Sequence, residues 1–260
     1  MKISNIKLDI TLTDFCSLNC RFCCHGTPLF KDKKHISLEE LERISKFFKP
    51  YEFHVIKISG GEPTLHPEFA KICDNLKRLF PAKSYYLATN GFLLEKYIEN
   101  VKIFNIIELS NYPPFNDKVY NRLVSIKNKI PNLVVRKKEE YDEIIDVNRE
   151  MNLDKKNIFR RCPYTDNVKI VQDRIYPCCN IFGQAMRQNI KLDKISVKID
   201  ENWRENLEKI NIEPYCRQCF VDVPGPFEAS VYKIVTKTGR WLKEKIKPLH
   251  KLSNYFRSEA

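Results

Sequence analysis

The stretch IKLDITLTDFCSLNCRFCC, Ile6 to Cys24, decides the reading of this chain. It begins as a strand, over Ile6–Thr13, and ends with four cysteines in nine residues. Three of them, Cys16, Cys20 and Cys23, have the spacing C-x3-C-x2-C. A structural zinc site wants four ligands, usually two close pairs set far apart. Three closely spaced thiolates can instead each hold one iron of a four-iron cluster, which leaves one iron open to a small molecule.

Outward from that loop the first half of the chain alternates strand-like and helix-like segments. Ser37 with Glu40 forms a capping box for a helix through about Phe48. Phe53–Ser59 reads as a strand, followed by the Gly60-Gly61 turn. Pro67–Phe80 reads as a helix, Lys83–Thr89 as a strand, and Leu93–Glu99 as a short helix. Phe104–Ser110 and Leu133–Lys137 are strands flanking a helix over Asp117–Ile130, and Glu143–Val147 is a candidate sixth strand. Such alternation predicts parallel βαβ units and an α/β fold, a partial (β/α)6 barrel with its site at the carboxyl ends of the strands. The texture changes near residue 150 and again near 228. The expected organisation is a core over 1–150, a small domain with a hairpin at Val168–Tyr176 and a helix at Trp203–Ile210 over 151–228, and a tail over 229–260.

Composition narrows the setting. The chain has 260 residues, ten cysteines and a net charge of +12. No apolar run has membrane-spanning length, and the N-terminus lacks a signal-peptide pattern, so a cytoplasmic protein with metal-binding or redox cysteines is expected. The excess positive charge suits anionic partners or substrates. Lys233–Arg257 carries eight Lys and Arg against one Glu, seven of the twelve net charges. With Trp241, Leu242, Ile246, Leu249, Leu252 and Phe256 at roughly helical spacing, this tail reads as a helix packed on its own domain with a solvated basic face. Contact with an anionic membrane is the alternative. No nucleic-acid motif accompanies the lysines, so nucleic acid is not an expected partner.

The cysteine triplet, with Phe22 as its aromatic, resembles the CxxxCxΦC motif of the radical S-adenosylmethionine (SAM) superfamily. A second motif, Gly60-Gly61-Glu62-Pro63 after the second strand, matches that family's GGEP. Glycines allow close backbone approach to a ligand, and Glu62 can take a charge-assisted hydrogen bond from the methionine ammonium. The resemblance implies that Cys16, Cys20 and Cys23 hold a [4Fe–4S] cluster whose open iron binds SAM. An electron from a flavodoxin- or ferredoxin-type donor then cleaves SAM to a 5′-deoxyadenosyl radical. It further implies that Thr89, Asn90 and Ser110 lie near the ribose or carboxylate of SAM, and that Arg136 pairs with that carboxylate.

Cys162, Cys178, Cys216 and Cys219 form a second set, able to close either a zinc site or a cluster. Beside the first motif they resemble the twitch form of the SPASM domain, which implies an auxiliary [4Fe–4S] cluster. Asp173 stands where related domains have glycine, and aspartate tolerates a left-handed turn. Cys179 is an alternative ligand or a hydrogen-atom donor, and more simply a spare buried thiol. Cys24 and Cys73 are read as structural. An auxiliary cluster of this kind implies oxidation or epimerisation of a sugar or aminocyclitol, as in dehydrogenases of the butirosin type, with a phosphorylated or nucleotide-linked sugar suiting the charge. Peptide modification, activation of a glycyl-radical enzyme, and a non-catalytic zinc protein are the alternatives.

Overall fold

In a computed structural model the protein is described at residues 7–20, 23, 25–111, 117–130, 132–137, 167–178 and 180–216, apart from a few side chains on helices and strands. The first five strands are β1 (Lys7–Thr11), β2 (Phe53–Ser59), β3 (Ala82–Thr89), β4 (Ile106–Asn111) and β5 (Leu133–Lys137). They pair in parallel in the order β5-β4-β3-β2-β1. The helices between them are α1 (Leu38–Phe48), α2 (Phe69–Leu79) and α3 (Asp117–Ser125).

The expected capping box opens α1: Glu40 N–H donates to Ser37 Oγ at 3.1 Å and Ser37 N–H donates to Glu40 Oε2 at 2.8 Å. One stripe of each helix then faces the sheet. Leu41, Ile44 and Phe48 of α1 and Phe69, Ile72, Cys73, Leu76 and Leu79 of α2 are buried. They meet alternate strand residues, Leu8 and Ile10 of β1, Ile56 and Ile58 of β2, Leu87 of β3 and Ile107 and Leu109 of β4, in one apolar core. The short helix expected at Leu93–Glu99 appears as two 3-10 turns, Leu94–Tyr97 and Asn100–Ile103, and α3 ends at Ser125 with another 3-10 turn at Lys127–Lys129.

The hairpin expected in the second domain is present as β6 (Asn167–Val171) and β7 (Arg174–Tyr176), but β6 does more than form a hairpin. It pairs in parallel with β1 over its full length, Lys7 opposite Asn167 through Thr11 opposite Val171. β6 is therefore the sixth parallel strand, and with β7 and β8 (Val197–Lys198) it completes an eight-stranded sheet. The strand expected at residues 143–147 and the boundary near 150 lie outside the described residues, as do the boundary near 228 and the tail. The hairpin turn also corrects an expectation. Its left-handed residue is Gln172, φ 54°, and not Asp173.

Three short helices follow, α4 (Ile181–Gln188), α5 (Trp203–Glu208) and α6 (Glu213–Cys216). Trp203 of α5 is fully buried against Phe48, ring centroids 5.0 Å apart, which ties this region to α1. A separate small core forms around Val171, Tyr176, Ile181, Phe182, Ala185, Ile195 and Ile212.

Candidate active site

β1 delivers the chain to the cysteine loop, and the turn after β2 packs directly under it. Gly61 N–H donates to Thr13 C=O and Glu62 N–H to Phe15 C=O, both at 2.7 Å. A Cβ on Gly61 would stand 2.1 Å from the Phe15 carbonyl oxygen, and one on Gly60, whose φ is 141°, 2.6 Å from the Thr13 oxygen. The glycines are required first by this protein–protein approach: they let the GGEP turn lie against the start of the cysteine loop.

Glu62 is completely buried and draws neighbouring strand ends together. Its Oε1 accepts from Thr64 N–H at 3.1 Å, Thr64 Oγ1 at 2.7 Å and Thr89 Oγ1 at 2.6 Å; its Oε2 accepts from Asn90 N–H at 2.6 Å. Burial pushes its carboxyl above the ordinary range, although the Thr89, Thr64 and Asn90 donors oppose that rise. Pro63 opens a 3-10 turn that Glu62 caps. Asn90 Nδ2 then reaches the cysteine loop, 3.1 Å from Ser17 Oγ and 3.6 Å from Cys16 Sγ. Cys16, Glu62, Thr89 and Asn90 are thus one connected set at the carboxyl ends of β1, β2 and β3.

Cys16, Cys20 and Cys23 are half-buried on that loop. Burial pushes the Cys16 thiol up to about 11; the Leu18 amide opposes the rise and Glu62 adds to it. Metal binding would overcome this by taking the thiolate form. Among the described residues no three His, Cys, Asp or Glu side chains converge as ligands of a single ion. A four-iron cluster takes one thiolate on each of three irons, so the thiols ring it and need not meet at a point. The three thiols of the loop are a donor set that such a cluster could take.

Ser110 is buried on β4, its hydroxyl 3.5 Å from Glu108 Oε1, and Arg136 occupies the register position opposite Ser110 on β5. Phe22, Cys162, Cys179 and Cys219 lie outside the described residues, as do the side chains of Arg136 and Cys216. Cys178 is half-buried just beyond β7, its Sγ accepting from Asn180 N–H at 3.4 Å, and Cys216 is the last residue of α6.

Sequence reasoning missed the inner face of the sheet. Asp9 on β1 lies opposite Lys57 on β2 and Lys169 on β6, so three charged residues form one row. Asp9 is buried, Lys169 is wholly inaccessible, and Lys57 Nζ is 3.6 Å from Asp9 Oδ2. Burial alone would raise the Asp9 carboxyl, but Lys169, Lys57, His25 and a hydrogen bond from Ser59 Oγ together hold it below its ordinary value. Lys169 Nζ also donates to His25 Nδ1, and Tyr86 OH donates to Glu108 Oε2. The signal was available. Strands of a parallel sheet covered on both faces read as unbroken apolar runs, yet KLDIT, FHVIKIS and NVKIV carry charge at alternate places.

Residues 10–112 match the family model described as the Radical SAM superfamily. This stretch is similar to a radical SAM domain. Such a domain implies one [4Fe–4S] cluster and SAM, and Cys16, Cys20, Cys23 and the GGEP turn all lie within the matched residues. Over 98 residues the chain is 37% identical to a probable GTP 3′,8-cyclase of Methanococcus aeolicus, covering 37% of this chain and 33% of that one. Over 97 residues it is 32% identical to a GTP 3′,8-cyclase of Mannheimia succiniciproducens, covering 36% and 29%. The chain spans about a third of the length of these curated relatives. A solved structure, BtrN in complex with AdoMet and 2-DOIA, shares the fold with a TM-score of 0.58 at 14% identity, covering 84% of this chain and 87% of that one. Among the described residues no helix is long and apolar enough to cross a membrane. The names of the relatives lend no support to the sugar oxidation or epimerisation expected from the sequence.

Proposed function

We propose that this radical SAM enzyme takes a hydrogen atom from a small, polar substrate held against the inner face of the parallel sheet. The observation that supports the reading is the placement of Asp9, Lys57, Lys169, Tyr86 and Glu108 on that face, below the cysteine loop. When bound, the cluster and SAM supply a 5′-deoxyadenosyl radical; the chain's own residues hold and orient the target. Glu62 fixes the ends of β2 and β3, Asn90 fixes the loop, and Cys16, Cys20 and Cys23 ligate the cluster. Gly60, Gly61, Thr89, Ser110 and Arg136 complete the SAM site in this reading.

A second [4Fe–4S] cluster on Cys162, Cys178, Cys216 and Cys219 belongs to the same proposal, as an acceptor of one electron from the substrate radical. With it, the reaction is oxidation or epimerisation of a sugar or aminocyclitol. The curated relatives favour a different substrate, a purine nucleotide such as GTP, with the same first step. The deciding experiment is anaerobic incubation of the reconstituted protein with dithionite, SAM and deuterated candidates, GTP in one arm and aminocyclitols and phosphorylated sugars in the other. Deuterium entering 5′-deoxyadenosine identifies the substrate. Formation of no 5′-deoxyadenosine beyond that of Cys16→Ala would overturn the reading.

A further inference from the structure

The chain leaves β1 through residues 11–14 into the cysteine loop, and beside this exit lies a cavity of about 30 Å³. The exit itself is one wall. The second is formed by residues 34–36, held to the first by an antiparallel bridge between Thr13 and His35 and by Asp14 N–H donating to Lys34 C=O at 2.9 Å. Gln172, in the turn between β6 and β7, closes the third side. A space of that size takes about two species as large as water.

Three groups on the walls lack what burial demands. Thr11 is 6% exposed, and its Oγ1 has no hydrogen-bond partner. Nδ1 of His35 is buried and has none either. Its ring is held in place, stacked on Phe15 with centroids 4.5 Å apart and set edge-on to His66 at 5.1 Å. Asp14 is 2% exposed. Its Oδ2 accepts from Lys34 N–H at 3.1 Å and from Gln172 Nε2 at 3.0 Å, but among the described residues it makes no ion pair. Buried side-chain polar atoms nearly always find a partner, and a buried carboxylate is costly unless a positive charge accompanies it.

Charge and size give the class of ligand. A single carboxylate balances one positive charge. Calcium takes roughly six to eight oxygens and magnesium keeps several waters in its octahedron, more than this space admits. A transition-metal ion would want further His, Cys, Asp or Glu ligands, and among the described residues no three of them converge. A hydroxyl oxygen offers its lone pairs to a cation as it does to a donor. We propose that the cavity binds one monovalent cation (sodium, potassium or ammonium) on the Asp14 carboxylate and the Thr11 hydroxyl, with a water joining it to His35 Nδ1. The inference goes beyond the substrate reading and does not rest on it. Asp14 is followed by Phe15, whose carbonyl accepts from Glu62 N–H, so the ion fixes the entrance to the cysteine loop together with the GGEP turn packed beneath it.

The test uses the full chain, reconstituted anaerobically with iron and sulfide. Its melting temperature is followed by circular dichroism, which needs no SAM cleavage, as sodium, potassium or ammonium chloride replaces tetramethylammonium chloride at constant ionic strength. Tetramethylammonium has the same charge and is too bulky for the cavity. With at least one small ion the melting temperature is expected to start rising at a definite concentration and then to grow with its logarithm, as for a ligand of the folded state alone. The ion with the lowest onset is the one the cavity takes. Thr11→Val keeps the shape and every charge and is expected to move the onset about tenfold higher. Asp14→Asn is expected to abolish the response, and Thr11→Val decides alone should Asp14→Asn fail to fold. Equal melting in all four salts means that water alone fills the cavity and overturns the proposal. A response that either variant leaves unchanged overturns it too, because the ion then sits elsewhere.

Discussion

The two faces of the parallel sheet come from the same strands and share almost nothing chemically. The outer face, with Leu8, Ile10, Ile56, Ile58, Leu87, Ile107 and Leu109, is apolar and covered by helices. The inner face, one residue along each strand, carries Asp9, Thr11, Lys57, Ser59, Tyr86, Glu108 and Lys169. A strand sends successive side chains to opposite faces, so one set of backbones serves both purposes. Stability is concentrated on one parity; the proposed substrate contacts fall on the other, and the cysteine triplet lies beyond both, in the loop that follows β1.

Substitutions can break or sharpen that division. The largest effect is expected at the loop: Cys16→Ala, Cys20→Ala or Cys23→Ala abolishes reductive cleavage of SAM, read as loss of 5′-deoxyadenosine by chromatography, with the fold retained. On the outer face, Ile10→Ala is expected to cost about 3–4 kcal/mol in urea denaturation. A loss below about 1 kcal/mol would show that the outer parity is not where stability lies.

The inner face gives a sharper test through Asp9. Its carboxyl titrates below the unfolded value of about 3.9, so it contributes stability above that value, and the contribution is lost as pH falls through the lower folded value. Asp9→Asn leaves Lys57 and Lys169 without it and is expected to cost about 3 kcal/mol at pH 7. Most of that difference should vanish in unfolding measured near pH 2. An equal deficit at both pH values would contradict the charge row. A smaller effect, about 1–2 kcal/mol with weaker SAM binding, is expected for Glu62→Gln, which replaces the acceptor facing Asn90 N–H with a donor. Smallest of all is Lys102→Ala. Its pair with Glu99 is exposed at both ends, 57% and 81%, and the change should stay within about 0.5 kcal/mol.

Much of this organisation was legible before any coordinates. Strand–helix alternation gave the parallel sheet, and Ser37 with Glu40 gave the start of α1 almost to the residue. Local signals carry such features. What escaped was non-local. Nothing near Asn167 announces that it pairs beside Lys7, so β6 was read as part of a separate unit. Once β6 is misplaced, Lys169 has no visible reason to meet Asp9, and the charge row cannot be seen. The glycine pair was legible as a site of close approach, but the partner was taken to be a ligand. The chain's own Thr13 and Phe15 carbonyls already demand it.

The parallel pairing of β6 with β1 has a practical consequence for anyone dividing the chain. A fragment ending ahead of residue 167 would expose a full side of β1, the strand that leads into the cysteine loop, as a raw edge beside a buried aspartate deprived of Lys169, the lysine that does most to hold its carboxyl low. Edges of that kind invite pairing between molecules. Such a truncation is expected to aggregate, even though the cysteine triplet and the GGEP turn would both remain in it.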